Sequence, residues 1–303
     1  MLARRTRDDH GREFSAKISA VDAGETMTIQ EVADRLGVHY MTAYRYVRQG
    51  RLPATRLGAE WRILPSDVAA LRKTGRRGSA RTGADREALE RRMVAGDSPG
   101  AWWLLQSHLG GGLDAAGVLT EMVVPALRSI GERWANGEVS VAEEHRATVV
   151  AQRVIGHLGM QFGRRGKDRG TVALAAPSGD LHVLPVAIAA DLLRWRGFDV
   201  VELGGNAPAS ALGDAAAKER RLLAVGIVST VSGLDGEVAL SASAVRAAVP
   251  GIPVFIGGGA VSSEAHARAM GADVWTGPGS NAAVETVERL AGSSEVRTHR
   301  SVA

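Results

Sequence analysis

Short apolar runs alternate with amphipathic segments between residues 170 and 292, and this alternation restricts the fold more than any other feature of the chain. The apolar runs are residues 171–176, 199–203, 222–228, 253–256 and 273–275. Segments between them, such as residues 208–219, 238–248 and 263–270, have the period of helices. Continuous apolar strands that alternate with helices predict a parallel sheet covered by helices on both faces.

Polar and glycine-rich motifs follow three of these predicted strands. Asp180 and His182 follow the first strand. Ser229 begins the loop after the third strand, and Gly258 and Gly259 follow the fourth. Parallel strands place their carboxyl ends at one edge of the sheet, where ligands of such folds bind. There, one nitrogen of the His182 imidazole can bind a metal, while the Asp180 carboxylate accepts a hydrogen bond from the other nitrogen.

The spacing Asp180-x-His182 resembles the Asp-x-His-x-x-Gly motif of flavodoxin-like corrinoid domains. Residues 229–231 and the glycine pair stand where that family has Ser-x-Leu and Gly-Gly. The resemblance implies a flavodoxin-like (Rossmannoid) cobalamin-binding domain, in which His182 replaces the cofactor's own base as the lower axial ligand of cobalt and Asp180 orients it. It also implies that the nucleotide tail lies beside the residues of the later motifs, which are Ser229, Val231, Gly258 and Gly259. The glycine of the first motif is Pro185 here, which predicts a narrower or reshaped tail pocket.

Composition limits the class of protein to which the chain can belong. Its 303 residues suffice for two or three domains, and the lack of cysteine excludes disulfides, thiolate metal sites and a cysteine nucleophile. The chain has no run of 18 apolar residues, which predicts no membrane span. Its charged N-terminus has none of the apolar character of a secretory signal, so we expect a cytoplasmic protein.

Basic residues are concentrated in the N-terminal part of the chain. Residues 1–95 hold 19 lysines and arginines against 12 acidic residues, whereas residues 96–303 hold 18 against 21. This asymmetry makes the N-terminal part the candidate for binding a polyanion.

Within that basic part, residues 26–73 have the pattern of a winged helix-turn-helix. Thr28 and Glu31 form a capping box for a first helix, and Gly37 ends it. A second helix is predicted over residues 39–49. Two β-prone runs around Gly58 predict a hairpin, or wing, and a third helix follows through residue 71.

Side chains on the second helix and the wing can contact base edges and phosphates. These candidate DNA-binding residues are Met41, Thr42, Arg45, Arg48, Arg56 and Arg62. Residues 28–71 resemble the winged helix-turn-helix of the MerR superfamily, and the matching residues are Gly37-Val38, Thr42, Tyr44-Arg45, Gly50, Leu52-Pro53, Arg56, Gly58 and Trp61-Arg62-Ile63. The resemblance implies double-stranded operator DNA as a partner. Glu60 replaces a basic residue at the wing tip, which predicts a weaker wing contact.

Residues 85–165 have helical periodicity and little strand character. A long helix is predicted over residues 113–135, and Ser140 with Glu143 forms a capping box for the next helix, which runs to about residue 162. This arrangement places Glu144 and His145 in the first turns of that helix.

Trp134 is separated by nine residues from Glu144-His145. This spacing resembles the Trp-x9-Glu-His signature of light-sensing, cobalamin-dependent transcriptional regulators of the CarH/LitR type. The resemblance implies a four-helix bundle over the upper cobalt face, where Trp134 shields the adenosyl group of adenosylcobalamin and Glu144 and His145 contact the cofactor. It also implies self-association into dimers or a tetramer. Some relatives have a cobalt-binding histidine after the tryptophan; here Ala135 leaves water, His145 or nothing for that position.

The predicted fold class is multidomain: a winged helix-turn-helix, then a four-helix bundle, then the α/β cobalamin-binding domain. The predicted regions are a mobile arm at residues 1–25, the winged domain at 26–73, a linker at 74–84, the bundle at 85–165, the α/β domain at 166–292 and a tail at 293–303.

This combination favours a cobalamin-binding transcriptional regulator and not an enzyme, namely a light-responsive repressor whose DNA binding and oligomerisation depend on adenosylcobalamin. Two alternatives stay open. A corrinoid carrier protein of a methyltransferase has the same Asp-x-His loop, although this length leaves no room for a substrate barrel. A DNA-binding regulator whose cobalamin site has diverged to another ligand would explain Pro185.

Overall fold

A computed structural model describes residues 26–36, 40–48, 52–58, 60–162, 169–279 and 281–300, without the side chains of residues 42, 45, 70, 72–82 and 293–300. The chain divides into two compact units, Met1–Asp85 and Arg86–Ala303. The predicted arm at residues 1–25 lies outside the described residues, as do the side chains of Thr42 and Arg45.

The first unit contains a pair of short helices and a hairpin. Helix α1 spans Ile29–Leu36 and α2 spans Tyr40–Arg48, and the antiparallel strands β1 (Thr55–Leu57) and β2 (Glu60–Arg62) form the wing. The Thr28 backbone N–H donates to the Glu31 carboxylate at 2.7 Å, as the capping box predicts. The shared core consists of Ile29, Val32, Ala33, Ala43, Val47, Leu52, Ile63 and Val68. The predicted winged helix-turn-helix is confirmed.

Helix α3 spans Pro65–Ala95 and so passes through residues 74–84, where the sequence predicted an irregular linker. This corrects both the predicted end of the third helix at residue 71 and the linker. A glycine inside a helix costs only about 1 kcal/mol relative to alanine, and arginine favours helices. Since a helix that has begun gains one hydrogen bond for each added residue, it can continue through such a segment.

The second unit begins with a helical bundle. The end of α3 is followed by α4 (Ser98–Gly110), α5 (Ala115–Val118), α6 (Val124–Ala135) and α7 (Val141–Gly159). A π-helical turn, Leu119–Val123, joins α5 to α6, so the predicted long helix is present with one irregularity. Pro125 is the second residue after this turn. Because proline lacks an N–H and its ring crowds the carbonyl one turn earlier, a wider turn is accommodated there.

The rest of the second unit is a five-stranded parallel sheet in the order β4-β3-β5-β6-β7. Its strands are β3 (Thr171–Ala175), β4 (Asp199–Glu202), β5 (Leu222–Val228), β6 (Val254–Gly257) and β7 (Val274–Trp275). The helices are α8 (Val183–Trp195), α9 (Ala209–Lys218), α10 (Asp235–Ala248), α11 (Glu264–Ala269) and α12 (Ala282–Arg300). The predicted parallel α/β architecture is confirmed, and α12 continues into the predicted tail.

One apolar core joins the bundle to the sheet. Leu119 and Leu158 of the bundle belong to the same buried cluster as Leu174 of β3 and Leu192 of α8, and α7 packs against α8. Ala173, which alternates with Leu174 along β3, belongs to a second cluster, so the sheet is covered on both faces. None of the helices in the described ranges has the length and apolar character needed to span a bilayer.

Candidate functional site

The loop after β3 brings Asp180 and His182 together at the carboxyl edge of the sheet. The Asp180 side chain is fully buried, whereas the His182 side chain is 61% exposed. Oδ1 of Asp180 lies 2.9 Å from Nδ1 of His182. Because an ionised carboxylate only accepts hydrogen bonds, Nδ1 is the donor. In the neutral ring, Nε2 therefore keeps its lone pair and can bind a metal.

Thr230, in the loop after β5, completes the surroundings of this carboxylate. Its backbone N–H donates to Oδ2 of Asp180 at 2.7 Å, and its hydroxyl oxygen lies 2.9 Å from each carboxylate oxygen. The family motif names the neighbouring positions, Ser229 and Val231, so Thr230 was not among the predicted site residues. The only signal in the sequence was a hydroxyl residue directly after a strand, and its closeness to Asp180 depends on the pairing of β5 with β3.

Burial and hydrogen bonding act in opposite directions on the pKa of Asp180. Burial acts to raise the pKa, but hydrogen bonds from the backbone and side chains of Thr230 and His182 outweigh it, so the pKa lies below the ordinary value of an aspartate. Asp180 is therefore a carboxylate at neutral pH. Its charge fixes the orientation of the His182 ring and makes that ring a stronger ligand.

Two loops meet closely beside this pair of residues. The buried Ser229 donates its backbone N–H to the Gly257 carbonyl oxygen at 2.8 Å, and its own carbonyl accepts from the Ala260 N–H at 3.2 Å. Gly258 has a φ of +110°, and a side chain there would collide with the carbonyl of Ser229. A side chain at Gly259 would meet nothing within 4 Å among the described residues. One glycine thus allows close contact of the loops, and the other borders open space.

Pro185 lies in the first turn of α8, whose N-cap is His182. The first backbone N–H groups of a helix have no partner within the helix, so proline is tolerated there. The substitution of the family glycine is therefore compatible with the local fold. A reshaped tail pocket stays a prediction.

The predicted upper-face residues lie around the turn between α6 and α7. Trp134 is 49% exposed. The Glu144 carboxylate accepts a hydrogen bond from the Thr148 hydroxyl at 2.8 Å and lies 3.1 Å from Nδ1 of His145. Nδ1 of His145 also lies 2.9 Å from the Val141 carbonyl oxygen. The structure thus brings Glu144 and His145 together, and the hydrogen bonds described for them stay within α7.

A groove of about 500 Å³ lies between α7 and α8. Val183, which directly follows His182, contributes to its wall, so the groove adjoins the candidate ligand. Asp191, Arg194 and Glu202 form its charged part, with Arg194 Nη1 at 3.1 Å from Asp191 and 2.9 Å from Glu202. Burial raises the pKa of Asp191 to about 6, although the Arg194 guanidinium acts to lower it.

Four of the six predicted DNA-binding residues have described side chains, and these four lie at accessible positions of α2 and the wing. Met41, Arg48 and Arg56 are exposed, and Arg62 is partly exposed. The Arg62 guanidinium lies 2.8 Å from the Glu60 carboxylate. Because this ion pair neutralises part of the positive charge of the wing, it adds a physical reason to expect a weaker wing contact with phosphate.

A site with one candidate metal ligand, His182, fits a metal that a macrocycle already holds. No group of three or more His, Asp or Glu side chains in the described ranges could hold a metal ion. A bare metal ion in a protein commonly needs three or four protein ligands, whereas a metal inside a macrocycle needs only an axial ligand from the protein. His182, whose Nδ1 is bound to a buried carboxylate, can supply that ligand.

Three family models match the chain in succession. A helix-turn-helix domain matches residues 26–76, and two B12 binding domains match residues 85–158 and 170–287. The loops that carry Asp180, Ser229 and Gly258 fall within the last match, and Trp134 falls within the second.

Proteins of two kinds are similar to this chain. The HTH-type transcriptional repressor CarH of Myxococcus xanthus is 32% identical over 177 residues, which are 57% of this chain and 56% of that protein. The trimethylamine corrinoid protein of Methanosarcina barkeri is 23% identical over 183 residues, which are 59% of this chain and 84% of that protein. The chain thus spans little more than half the length of the first relative.

A solved structure supports the fold. The monomethylamine corrinoid protein of Methanosarcina barkeri superposes with a TM-score of 0.56 at 18% identity, covering 66% of this chain and 96% of its own. The helix-turn-helix match and the two B12-binding matches lie in one chain.

Proposed function

We propose that this chain is a cobalamin-binding transcriptional regulator of the CarH type, and that it acts as a light-responsive repressor whose oligomerisation and DNA binding depend on adenosylcobalamin. The observation that carries the proposal is the imidazole of His182, fixed by a buried carboxylate within a B12-binding domain that follows a helix-turn-helix domain. The proposal places the protein in the cytoplasm, where it would bind operator DNA.

In this proposal Nε2 of His182 would bind the cobalt of the cofactor, and Asp180 and Thr230 would hold the imidazole ring in place. When bound, adenosylcobalamin would supply a cobalt–carbon bond that light breaks. The residues proposed beside the nucleotide tail are Ser229, Val231, Gly258 and Gly259. The residues proposed to cover the upper face are Trp134, Glu144 and His145. Support comes from the exposed indole and from the open space at Gly259.

The winged domain would bind duplex DNA through α2 and the wing. The residues proposed for this contact are Met41, Thr42, Arg45, Arg48, Arg56 and Arg62. Self-association into dimers or a tetramer would place several such domains on one assembly and raise their effective concentration at the operator. The cofactor favours the assembly only to the extent that it binds the assembled state more tightly than the separate chains.

A gel-shift experiment with the full chain tests this proposal. Operator duplexes would first be selected from a random library with protein and adenosylcobalamin in darkness. We expect tight binding in the dark and a loss of at least tenfold in affinity after green light. Hydroxocobalamin, which lacks the adenosyl group, is the control ligand. Equal affinity before and after illumination would reject the light switch.

The absorption spectrum tests the cofactor site separately. Wild-type protein should give the spectrum of cobalamin whose own base has been replaced by histidine, and His182→Ala should not. A product that stays colourless with added adenosylcobalamin would instead favour a site that has diverged to another ligand.

A corrinoid carrier for methyl transfer is the second candidate. Its support is the similarity to the trimethylamine corrinoid protein over 84% of that protein. A carrier would bind cobalamin yet select no specific duplex from the library. The same selection experiment therefore distinguishes the two functions.

A further inference from the structure

His266 connects the loop after β5 to the loop after β6. Its Nε2 lies 3.1 Å from Oδ2 of Asp235, the first residue of α10. Its Nδ1 accepts a hydrogen bond from the Ser262 backbone N–H at 3.4 Å and lies 3.2 Å from the Ser262 hydroxyl oxygen. Since a backbone N–H can only donate, Nε2 of the neutral ring carries the proton that is donated to Asp235. We call these three residues the clasp.

The clasp joins two loops at their far ends, where the helices α10 and α11 begin. Backbone hydrogen bonds already join the same loops at their near ends, beside the strands β5 and β6. At the near ends, the Ser229 N–H donates to Gly257 at 2.8 Å, and the Ala260 N–H donates to Ser229 at 3.2 Å. At the far ends, Asp235 begins α10, and His266 lies in the first turns of α11. Because both ends are connected, the middle parts of the loops are held at a set separation.

Open space borders both loops, near Asp235 in one loop and next to Gly258 in the other. A side chain at Gly233 in one loop, or at Gly259 in the other, would meet nothing within 4 Å among the described residues. Gly258, by contrast, is pressed against the Ser229 carbonyl. Open space therefore lies beside both loops, while their close contact at Gly258 and Ser229 lies at the buried end of β5.

We infer that the clasp sets the separation of the two loops and thereby positions both of them for the nucleotide tail of the corrinoid. This inference rests on the proposed function, which places the tail beside Ser229 and Gly258. His266 acts through the loops and is a positioning residue. As an ion pair alone the clasp would add little to stability, because the Asp235 side chain is 61% exposed.

Two corrinoids distinguish a positioning role from a general structural role. The full chain would be titrated in darkness with adenosylcobalamin and with adenosylcobinamide, which has the same corrin and adenosyl group but no nucleotide tail. His266→Leu, which removes both hydrogen bonds, should weaken adenosylcobalamin binding roughly tenfold. It should leave adenosylcobinamide binding within about twofold of the wild type.

Matched variants complete the experiment. Arg268→Ala removes an exposed ion pair with Glu264 on the same helix and should leave both affinities unchanged. Asp235→Asn keeps an acceptor for Nε2 and should bind like the wild type, whereas Asp235→Ala should bind like His266→Leu.

The results separate this inference from the proposed function. If His266→Leu weakens both corrinoids equally, or weakens neither, the positioning role is overturned while cobalamin binding stands. A wild-type chain that binds no adenosylcobalamin would overturn the proposed function, and the clasp inference with it.

Discussion

Asp180 is the residue on which the geometry of the candidate site depends. Its carboxylate is fully buried, and it accepts hydrogen bonds from the backbone and side chains of both His182 and Thr230. A buried charge is tolerated only when its oxygens are satisfied in this way. Thr230 therefore belongs to the site as an orienting residue, although it contacts the imidazole only through Asp180.

Removal of the Thr230 hydroxyl tests this role. Thr230→Val preserves the shape and the backbone N–H but removes the hydroxyl from the carboxylate. We expect roughly tenfold weaker adenosylcobalamin binding in a dark absorbance titration, because hydrogen bonds to charged groups contribute about 1.5–3 kcal/mol. Thr230→Ser, which keeps the hydroxyl, should bind nearly as well as the wild type. Indistinguishable affinities for the two variants would show that the hydroxyl does not orient the ring.

At the scale of elements, the strands were predictable and the connections were less so. Each strand of the sheet lies within one residue of its predicted ends, because buried parallel strands are continuous apolar runs. The passage of α3 through residues 74–84 was not predictable from local propensity, since its glycines favour an irregular segment.

At the candidate site, contacts within one loop were predictable from the sequence, and contacts between distant loops were not. The spacing of Asp180 and His182 predicts their hydrogen bond, because two residues in one short loop are close in any fold. Thr230 is fifty residues away, and only the parallel pairing of β3 with β5 brings it to Asp180. Contacts of this kind follow from strand order, which the sequence pattern did not specify.

We expect the packing of α7 on α8 to depend on pH through Asp191. A side chain at Gly159 of α7 would lie 3.1 Å from this buried carboxylate. Burial raises the pKa of Asp191 to about 6, so the folded protein holds its proton more tightly than the unfolded chain. The stability conferred by that proton is fully present below about pH 4, and it is lost as pH rises to and beyond 6.

Asp191→Asn removes this titration. The free energy of unfolding of the wild type, relative to the variant, should fall by about 2–3 kcal/mol between pH 4 and pH 7.5. Urea unfolding of the cofactor-free chain at several pH values measures the difference. Asp214→Asn, at an exposed position of α9, is the control and should follow the wild-type profile. Parallel profiles for the wild type and Asp191→Asn would contradict the raised pKa.

At the scale of the whole molecule, the winged domain and the second unit have separate hydrophobic cores. The winged domain has its own buried cluster around Val32 and Ile63. The bundle and the sheet share a larger cluster, in which Leu119 and Leu174 both take part. Because the proposed cofactor residues all lie in the second unit, ligand binding should stabilise that unit directly. Any effect on DNA binding must then come through assembly or through a change between the units.

Calorimetry of the full chain in darkness can separate the two units. We expect two unfolding transitions, because each unit has its own core. Adenosylcobalamin at a hundred times its dissociation constant should stabilise the second unit by about 2.7 kcal/mol, a shift of roughly 5–10 °C for its size, and leave the other transition in place. His182→Ala should reduce the shift. A single transition that moves as a whole would mean that the winged domain and the cofactor unit unfold together.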